Sequence, residues 1–185
     1  FLDCCNMRVI SGYLKSRVLS VSKSSRNIRP TTDRARETLF NIISNSIDLD
    51  GCRILDLFAG SGSFGIECIS RGSEFCCFVD KDTESVVKNI NTLELNENTK
   101  VYKSDAVYFL KNISEDRFDI TFADPPYAYA NYDKLLDNVS KLDTYFILEH
   151  SEKFINIEKY KEYRVSRKEI GITSFSFYNF LKNEK

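Results

Sequence analysis

The sequence predicts an α/β fold: a mostly parallel sheet with helices on both sides, an antiparallel end, and a β-hairpin at the N-terminus. Three observations carry this prediction. Beyond Gly51, short apolar runs alternate with segments of helical periodicity, the pattern of a parallel sheet covered on both faces. The first of these runs enters Gly60-Ser61-Gly62-Ser63-Phe64-Gly65 and then a helical segment, so a glycine loop joins strand to helix. The last two strand-like runs have no long helix between them, and such neighbours pair antiparallel.

The elements follow in order. Residues 8–13 and 17–21 alternate around Ser11-Gly12 and Lys15-Ser16, which predicts the hairpin. A polar, basic loop leads to Pro30-Thr31-Thr32-Asp33, whose side chains suit a helix start. Ala35, Leu39, Ile42, Ile43 and Ile47 give that helix an apolar stripe, and Asp48-Leu49-Asp50-Gly51 ends it. Strands are predicted over residues 53–58, 75–79, 100–103, 118–123 and 144–148. Helices are predicted over 63–70, 83–95, 104–111 and 132–142, the second with Val86, Val87, Ile90 and Leu93 on one side. Strands over 163–169 and 173–180 complete the set, the last with Phe175 and Phe177 opposite Tyr178 and Phe180. The domain reading is an upstream extension over 1–6, with Met7 as the start, a hairpin and basic arm over 7–30, and one domain over 31–185.

Composition narrows the class. The chain has 185 residues, 42% of them hydrophobic and 29% charged, as in one globular domain with a real core. No apolar stretch approaches the roughly 20 residues that span a bilayer, and no signal peptide is evident. Six cysteines occur without a CxxC pair, so neither zinc nor a disulfide is expected. Cys52, Cys76 and Cys77 lie in strand-like runs and are expected to act as small buried hydrophobes. Reduced thiols suit a cytoplasmic protein. Net charge is −1, yet residues 7–36 hold eight cations against Asp33 alone, a local +7. A basic arm on a neutral body predicts contact with a polyanion.

The glycine loop satisfies GxGxxG, and Asp80 follows Gly60 by 20 residues, the spacing of a dinucleotide fingerprint. A nicotinamide dehydrogenase is disfavoured on three grounds. Asp56 beside the loop would repel a pyrophosphate, the chain is short for two nucleotide halves plus a substrate domain, and Asp124-Pro125-Pro126-Tyr127 has no task in hydride transfer. S-adenosylmethionine fits better, because it lacks phosphate and carries an ammonium and a sulfonium. Asp56 would attract that cationic end, and Asp80 would accept from both ribose hydroxyls. Asp105 would accept from the adenine amino group, and glycines allow close backbone approach. Phe58, Ala59, Gly60, Ser61, Gly62 and Ala106 complete the candidate cofactor site.

The tetrapeptide Asp124-Pro125-Pro126-Tyr127 ends a predicted strand 68 residues after Asp56. Conjugation ties up the lone pair of an aromatic or amide amino group, so methylating it needs alignment and relief of that conjugation. Asp124 can accept one N–H and the Pro125 carbonyl another, drawing the nitrogen toward tetrahedral geometry. The prolines hold these acceptors rigidly. Asp124 or solvent can then take the released proton. Tyr127 can stack on the ring, and Tyr129 and Tyr132 are further candidates for the pocket wall. His150 beside Glu149 is expected to be a polar edge residue rather than a base.

Four segments occur in one order: Met7-Arg8-Val9-Ile10-Ser11-Gly12; Arg29-Pro30-Thr31-Thr32-Asp33-Arg34 with Arg36-Glu37; residues 55–65; and residues 124–127. In these the chain resembles the bacterial small-subunit ribosomal RNA guanine-N2 methyltransferases of the RsmD type, from about Met7 to the C-terminus. The resemblance implies a class I methyltransferase, Rossmann-like sheet, S-adenosylmethionine as donor, and one guanine of 16S rRNA in an assembling 30S particle as acceptor. It implies that Thr31, Thr32, Arg34 and Glu37 close over the site, with Arg34 meeting the methionine carboxylate or an RNA phosphate. It implies that Arg8, Lys15, Arg17, Lys23, Arg26 and Arg29 grip RNA backbone. A monomer without metal or membrane contact is expected. Ile172 stands after Gly171 where an acid is expected in that family. The alternatives are a DNA adenine-N6 methyltransferase, which needs a larger target-recognition region, a protein-glutamine methyltransferase, which usually has Asn in place of Asp124, and a non-catalytic RNA-binding assembly factor.

Overall fold

A computed structural model describes residues 7–21, 33–113, 117–151 and 158–182. Lys23, Arg26, Arg29, Thr31 and Thr32 lie outside the described residues, as do Cys4 and Cys5. The elements are α1 (Asp33–Ser44), β1 (Arg53–Leu57), α2 (Ser63–Ser70), β2 (Phe75–Asp80), α3 (Glu84–Leu93), β3 (Thr99–Lys103), α4 (Ala106–Asn112), β4 (Ile120–Ala123), α5 (Tyr132–Val139), β5 (Tyr145–Ser151), β6 (Arg164–Ile170) and β7 (Thr173–Asn179). They form one seven-stranded sheet in the order β3-β2-β1-β4-β5-β7-β6. β1 to β5 run parallel, and β7 lies antiparallel between β5 and β6. No described helix is long and apolar enough to cross a membrane.

Strand alternation builds two cores. Ile54, Cys76, Phe78, Ile120, Phe122 and Ile147 face α1, α2, α3 and the N-terminal segment. Leu55, Cys77, Val79, Ala123, Phe146 and Leu148 face α4 and α5. The final strand obeys the predicted alternation, with Phe175 and Phe177 in the first core and Tyr178 and Phe180 in the second. Cys76 and Cys77 are buried there as expected, whereas Cys52 is half-buried just before β1. On α3 the expected stripe is corrected at Val87, which faces solvent while Val86, Ile90 and Leu93 are buried.

The N-terminal hairpin is corrected to a short paired base, in which Arg8 bridges Val18, Val9 N–H donates to the Arg17 carbonyl at 3.0 Å and Leu19 N–H to the Met7 carbonyl at 2.8 Å. Residues 11–16 turn, and the N–H groups of Ser11, Tyr13 and Leu14 bond to α2. Ile10 and Ser11 donate to Glu67 Oε2 and Oε1 at 2.7 and 2.9 Å. Tyr13 donates to the Ser70 carbonyl at 2.9 Å, and Leu14 to Ser70 Oγ at 3.0 Å. Glu67 also accepts from Arg71 Nε at 2.8 Å and lies 3.7 Å from Arg36. It is 0% exposed, so this one carboxylate fastens the N-terminal loop and α1 to the sheet through α2.

Two glycines of the loop have different tasks. A Cβ on Gly62, at φ +76°, would lie 2.6 Å from Val86 Cγ2 and 3.1 Å from Phe78. A Cβ on Gly60, at φ +55°, would meet nothing within 4 Å. Gly60→Ala is therefore expected to cost only the left-handed strain of about 1–2 kcal/mol. Gly62→Ala adds overpacking and should cost about 2–4 kcal/mol in all. Chemical denaturation of both variants checks this order, and equal losses would contradict it.

Candidate active site at the carboxyl ends of the parallel strands

The chain leaves β1 toward β2 and β3, then returns past β1 to β4. That reversal opens a crevice between the carboxyl ends of β1 and β4, where ligands bind in open α/β sheets. The backbone N–H of Asp124 reaches the Leu57 carbonyl at 3.4 Å across this point. Above it lies a cavity of about 410 Å³, within the roughly 300–1,000 Å³ of small-ligand pockets. The glycine loop forms one wall, the tetrapeptide another, and Glu149 with His150 closes the side toward β5.

The loop is pinned from several directions. Gly60 N–H donates to Asp80 Oδ2 at 2.8 Å, Ala59 N–H to the Val79 carbonyl at 3.2 Å, and Gly62 N–H to the Ala59 carbonyl at 2.7 Å. Asn89 Nδ2 donates to the Ser61 carbonyl at 2.8 Å. Phe58 holds φ +60° although it is not glycine, a strained conformation of the kind that concentrates at functional sites. Its ring meets Tyr129 edge-on at 5.2 Å, and Tyr129 meets Tyr132 likewise. Burial pushes the Tyr129 phenol up to about 12, so it stays protonated.

The predicted cofactor residues divide into two groups. Phe58, Ala59, Gly60, Ser61, Asp80 and Ala106 line the cavity. Asp56, Gly62, Asp105 and Arg34 are not among its lining residues. Asp56 is 1% exposed beneath the loop and accepts from Gly65 N–H at 3.0 Å. Burial raises its carboxyl well above the usual range; it holds the loop from below. Gly62 packs against α3, as described. Asp105 caps α4 by accepting from Val107 and Tyr108 N–H at 3.0 and 3.1 Å, and pairs with Lys81 at 2.9 Å. The Lys81 contact holds its carboxyl below the ordinary value. Arg34 stands exposed on α1, as does Glu37. The α1 cation that lines the cavity is Arg36, 4% exposed, which donates to the Arg8 carbonyl at 3.0 Å. Its signal in the sequence is its spacing of four from Phe40, another buried residue of α1.

All four tetrapeptide residues line the cavity. Pro125 is buried, and Tyr127 is 51% exposed. Tyr129 N–H takes the Pro126 carbonyl at 2.7 Å, which fixes the turn. The Asp124 side chain is exposed to the cavity but set deep among protein atoms. Desolvation, then the charges of Glu149 and Asp56, raises its carboxyl well above the usual range. His150 is buried instead of at an edge, with Nε2 2.8 Å from Ser176 Oγ and Nδ1 2.9 Å from the Ser151 carbonyl. Burial lowers its pKa, so it is neutral near pH 7.

The N-terminal loop borders this cavity through Met7 and Val21, and Met7 Sδ touches Ser61 Oγ at 3.4 Å. Arg8, Lys15 and Arg17 are exposed on it, beside Tyr13. The segment thus runs from the glycine loop, where Met7 meets Ser61, to the far end of α2, where Tyr13 and Leu14 meet Ser70. Glu149, Arg36 and Glu67 are the residues of weight that sequence reasoning missed.

A family model described as Conserved hypothetical protein 95 matches residues 7–179. The chain belongs to this family. The chain is similar to the Bacillus subtilis protein named "Putative rRNA methyltransferase YlbH", 39% identical over 183 residues, covering 93% of this chain and 98% of that one. "Ribosomal RNA small subunit methyltransferase D" of Buchnera aphidicola is 37% identical over 153 residues, 78% of each chain. Among solved structures, the "Putative methyltransferase yhhF" of Escherichia coli superposes with a TM-score of 0.77 at 28% identity, covering 94% of this chain and 97% of that one.

Proposed function

We propose that this chain transfers a methyl group from S-adenosylmethionine to the exocyclic N2 of one guanine in small-subunit ribosomal RNA. The observation that carries the reading is Asp124 set between two rigid prolines and the glycine loop, in one cavity with an exposed stacking tyrosine. The names of the ribosomal RNA methyltransferase relatives support the substrate class. The exposed cations Arg8, Lys15 and Arg17 of the N-terminal segment support an RNA rather than a small free acceptor.

The residues present fit the donor. Gly60 leaves open space for close approach, and Asp80 sits on the cavity wall at the end of β2. The donor supplies an electrophilic methyl on a sulfonium. Asp80, already oriented by Gly60 N–H, would hold ribose hydroxyls, while Phe58 and Ala106 supply apolar wall. Asp124 accepts one N–H of the guanine amino group and the Pro125 carbonyl the other. Those two bonds direct the nitrogen lone pair across the cavity and hold it there. Once the nitrogen is methylated, its excess proton passes to Asp124, whose raised pKa makes it a competent base. Tyr127 stacks on the flipped base, and Arg8, Lys15 and Arg17 hold backbone phosphates.

Such an enzyme works in the cytoplasm as a monomer on an assembling particle. The test is methyl-labelled donor with small subunits lacking the modification, and separately with DNA. Label in small-subunit RNA is expected; label in DNA adenine would favour the N6 alternative instead.

A further inference from the structure

Glu149 is a buried acid that the steps above leave unused. It is 7% exposed, on β5, and lines the same cavity as Asp124. β4 and β5 pair in parallel through Phe122↔Ile147 and Ala123↔Leu148. One step further, strand register sets Asp124 beside Glu149, both on the face that carries Phe122 and Ile147. Glu149 is fixed there from its other side by pairing with Phe175 of β7. The negative charge of Glu149 bears on Asp124 strongly enough to raise its carboxyl. Two neighbouring carboxylates repel each other unless a ligand or proton lies between them.

Guanine offers two donors to such a pair. Its Watson–Crick edge presents two adjacent donors, N1–H and the N2 amino group. Adenine places an acceptor, N1, beside its amino group. We infer that Glu149 is the specificity-determining acceptor for guanine N1–H, acting beside Asp124 on N2–H, so that the carboxylate pair selects guanine and rejects adenine. This rests on the guanine-N2 reading and deepens it. A site built to accept a hydrogen bond rejects an analogue that brings a second acceptor, because two acceptor lone pairs then face each other out of water. Glu149 thereby gives the physical reason why a tetrapeptide able to serve either base would serve guanine here.

The test separates N1 from N2. Small subunits are reconstituted with either guanine or 2-aminopurine at the methylated position. 2-Aminopurine keeps the 2-amino group but carries an acceptor at N1. The intact enzyme should prefer guanine by about 100-fold or more in kcat/KM. Glu149→Gln can turn its amide to donate to N1, so its preference should collapse to within about tenfold. The missing O6 of 2-aminopurine weighs on both proteins alike and cancels in the comparison. Affinity for S-adenosylhomocysteine, measured on the same preparations, should stay within about twofold and shows that the variant is folded. A preference unchanged in Glu149→Gln overturns the inference but leaves guanine methylation standing. Failure of the intact enzyme to methylate either base at N2 overturns the guanine reading and the inference together.

Discussion

Asp124→Ala is expected to lower methyl transfer by about 10³-fold or more while leaving cofactor affinity within about twofold. In the proposed mechanism the carboxylate both orients the amino group and takes its proton, so truncation would remove two contributions at once. Cofactor contacts survive because Gly60, Asp80 and Ala59 are held by their own hydrogen bonds, none of which passes through Asp124. Asp124→Asn should fall between, since its amide oxygen still accepts an N–H but cannot take a proton. The pH profile carries a sign. Burial and the charge of Glu149 raise the Asp124 carboxyl, and only its ionised form serves as base. Turnover of the unaltered enzyme should therefore rise with pH through that raised value and flatten above it. Single-turnover assays with labelled donor across pH check both statements; full turnover by Asp124→Ala would contradict them.

Glu67→Ala is expected to cost about 3–5 kcal/mol, the typical loss when one partner of a buried ionic network is removed. It strips acceptors from Ile10 and Ser11 N–H and leaves Arg36 and Arg71 without their shared carboxylate. In a domain of this size that corresponds to a drop in Tm of about 6–20 °C. The consequence for function is specific. The loop bearing Arg8, Lys15 and Arg17 loses its anchor to α2, so RNA affinity should fall more steeply than affinity for S-adenosylhomocysteine. Thermal unfolding and filter binding at fixed salt measure the two effects. An unchanged Tm would contradict the anchoring role.

Much of the sheet is legible in the sequence because β1, β2 and β4 are short apolar runs, each followed by a helix. The glycine loop and the tetrapeptide are legible because both occupy strand ends, where backbone geometry restricts the residues that fit. What stays hidden depends on partners far along the chain. Residues 8–21 alternate like a hairpin, yet the N–H groups of Ile10, Ser11 and Leu14 go to Glu67 and Ser70, more than 50 positions away. Asp56 and Asp105 stand where ligand-binding acids belong, but Gly65 N–H claims the first and the α4 N-terminus the second. Local sequence does not say which donor an acid will meet. Arg34 and Arg36 differ only in helical phase. The broad stripe Ala35, Leu39, Phe40, Ile43 turns Arg36 inward and leaves Arg34 in solvent. Glu149 is readable only once register sets β5 beside β4.

The decisive measurement is to incubate small subunits lacking the modification with the protein and methyl-labelled S-adenosylmethionine, digest the RNA, and identify the labelled nucleotide by mass spectrometry. The expected result is one N2-methylguanine in small-subunit RNA, absent when Asp124→Ala replaces the unaltered protein. Label on an adenine, on a protein, or on no RNA nucleotide at all would contradict guanine-N2 methylation as the work of this site.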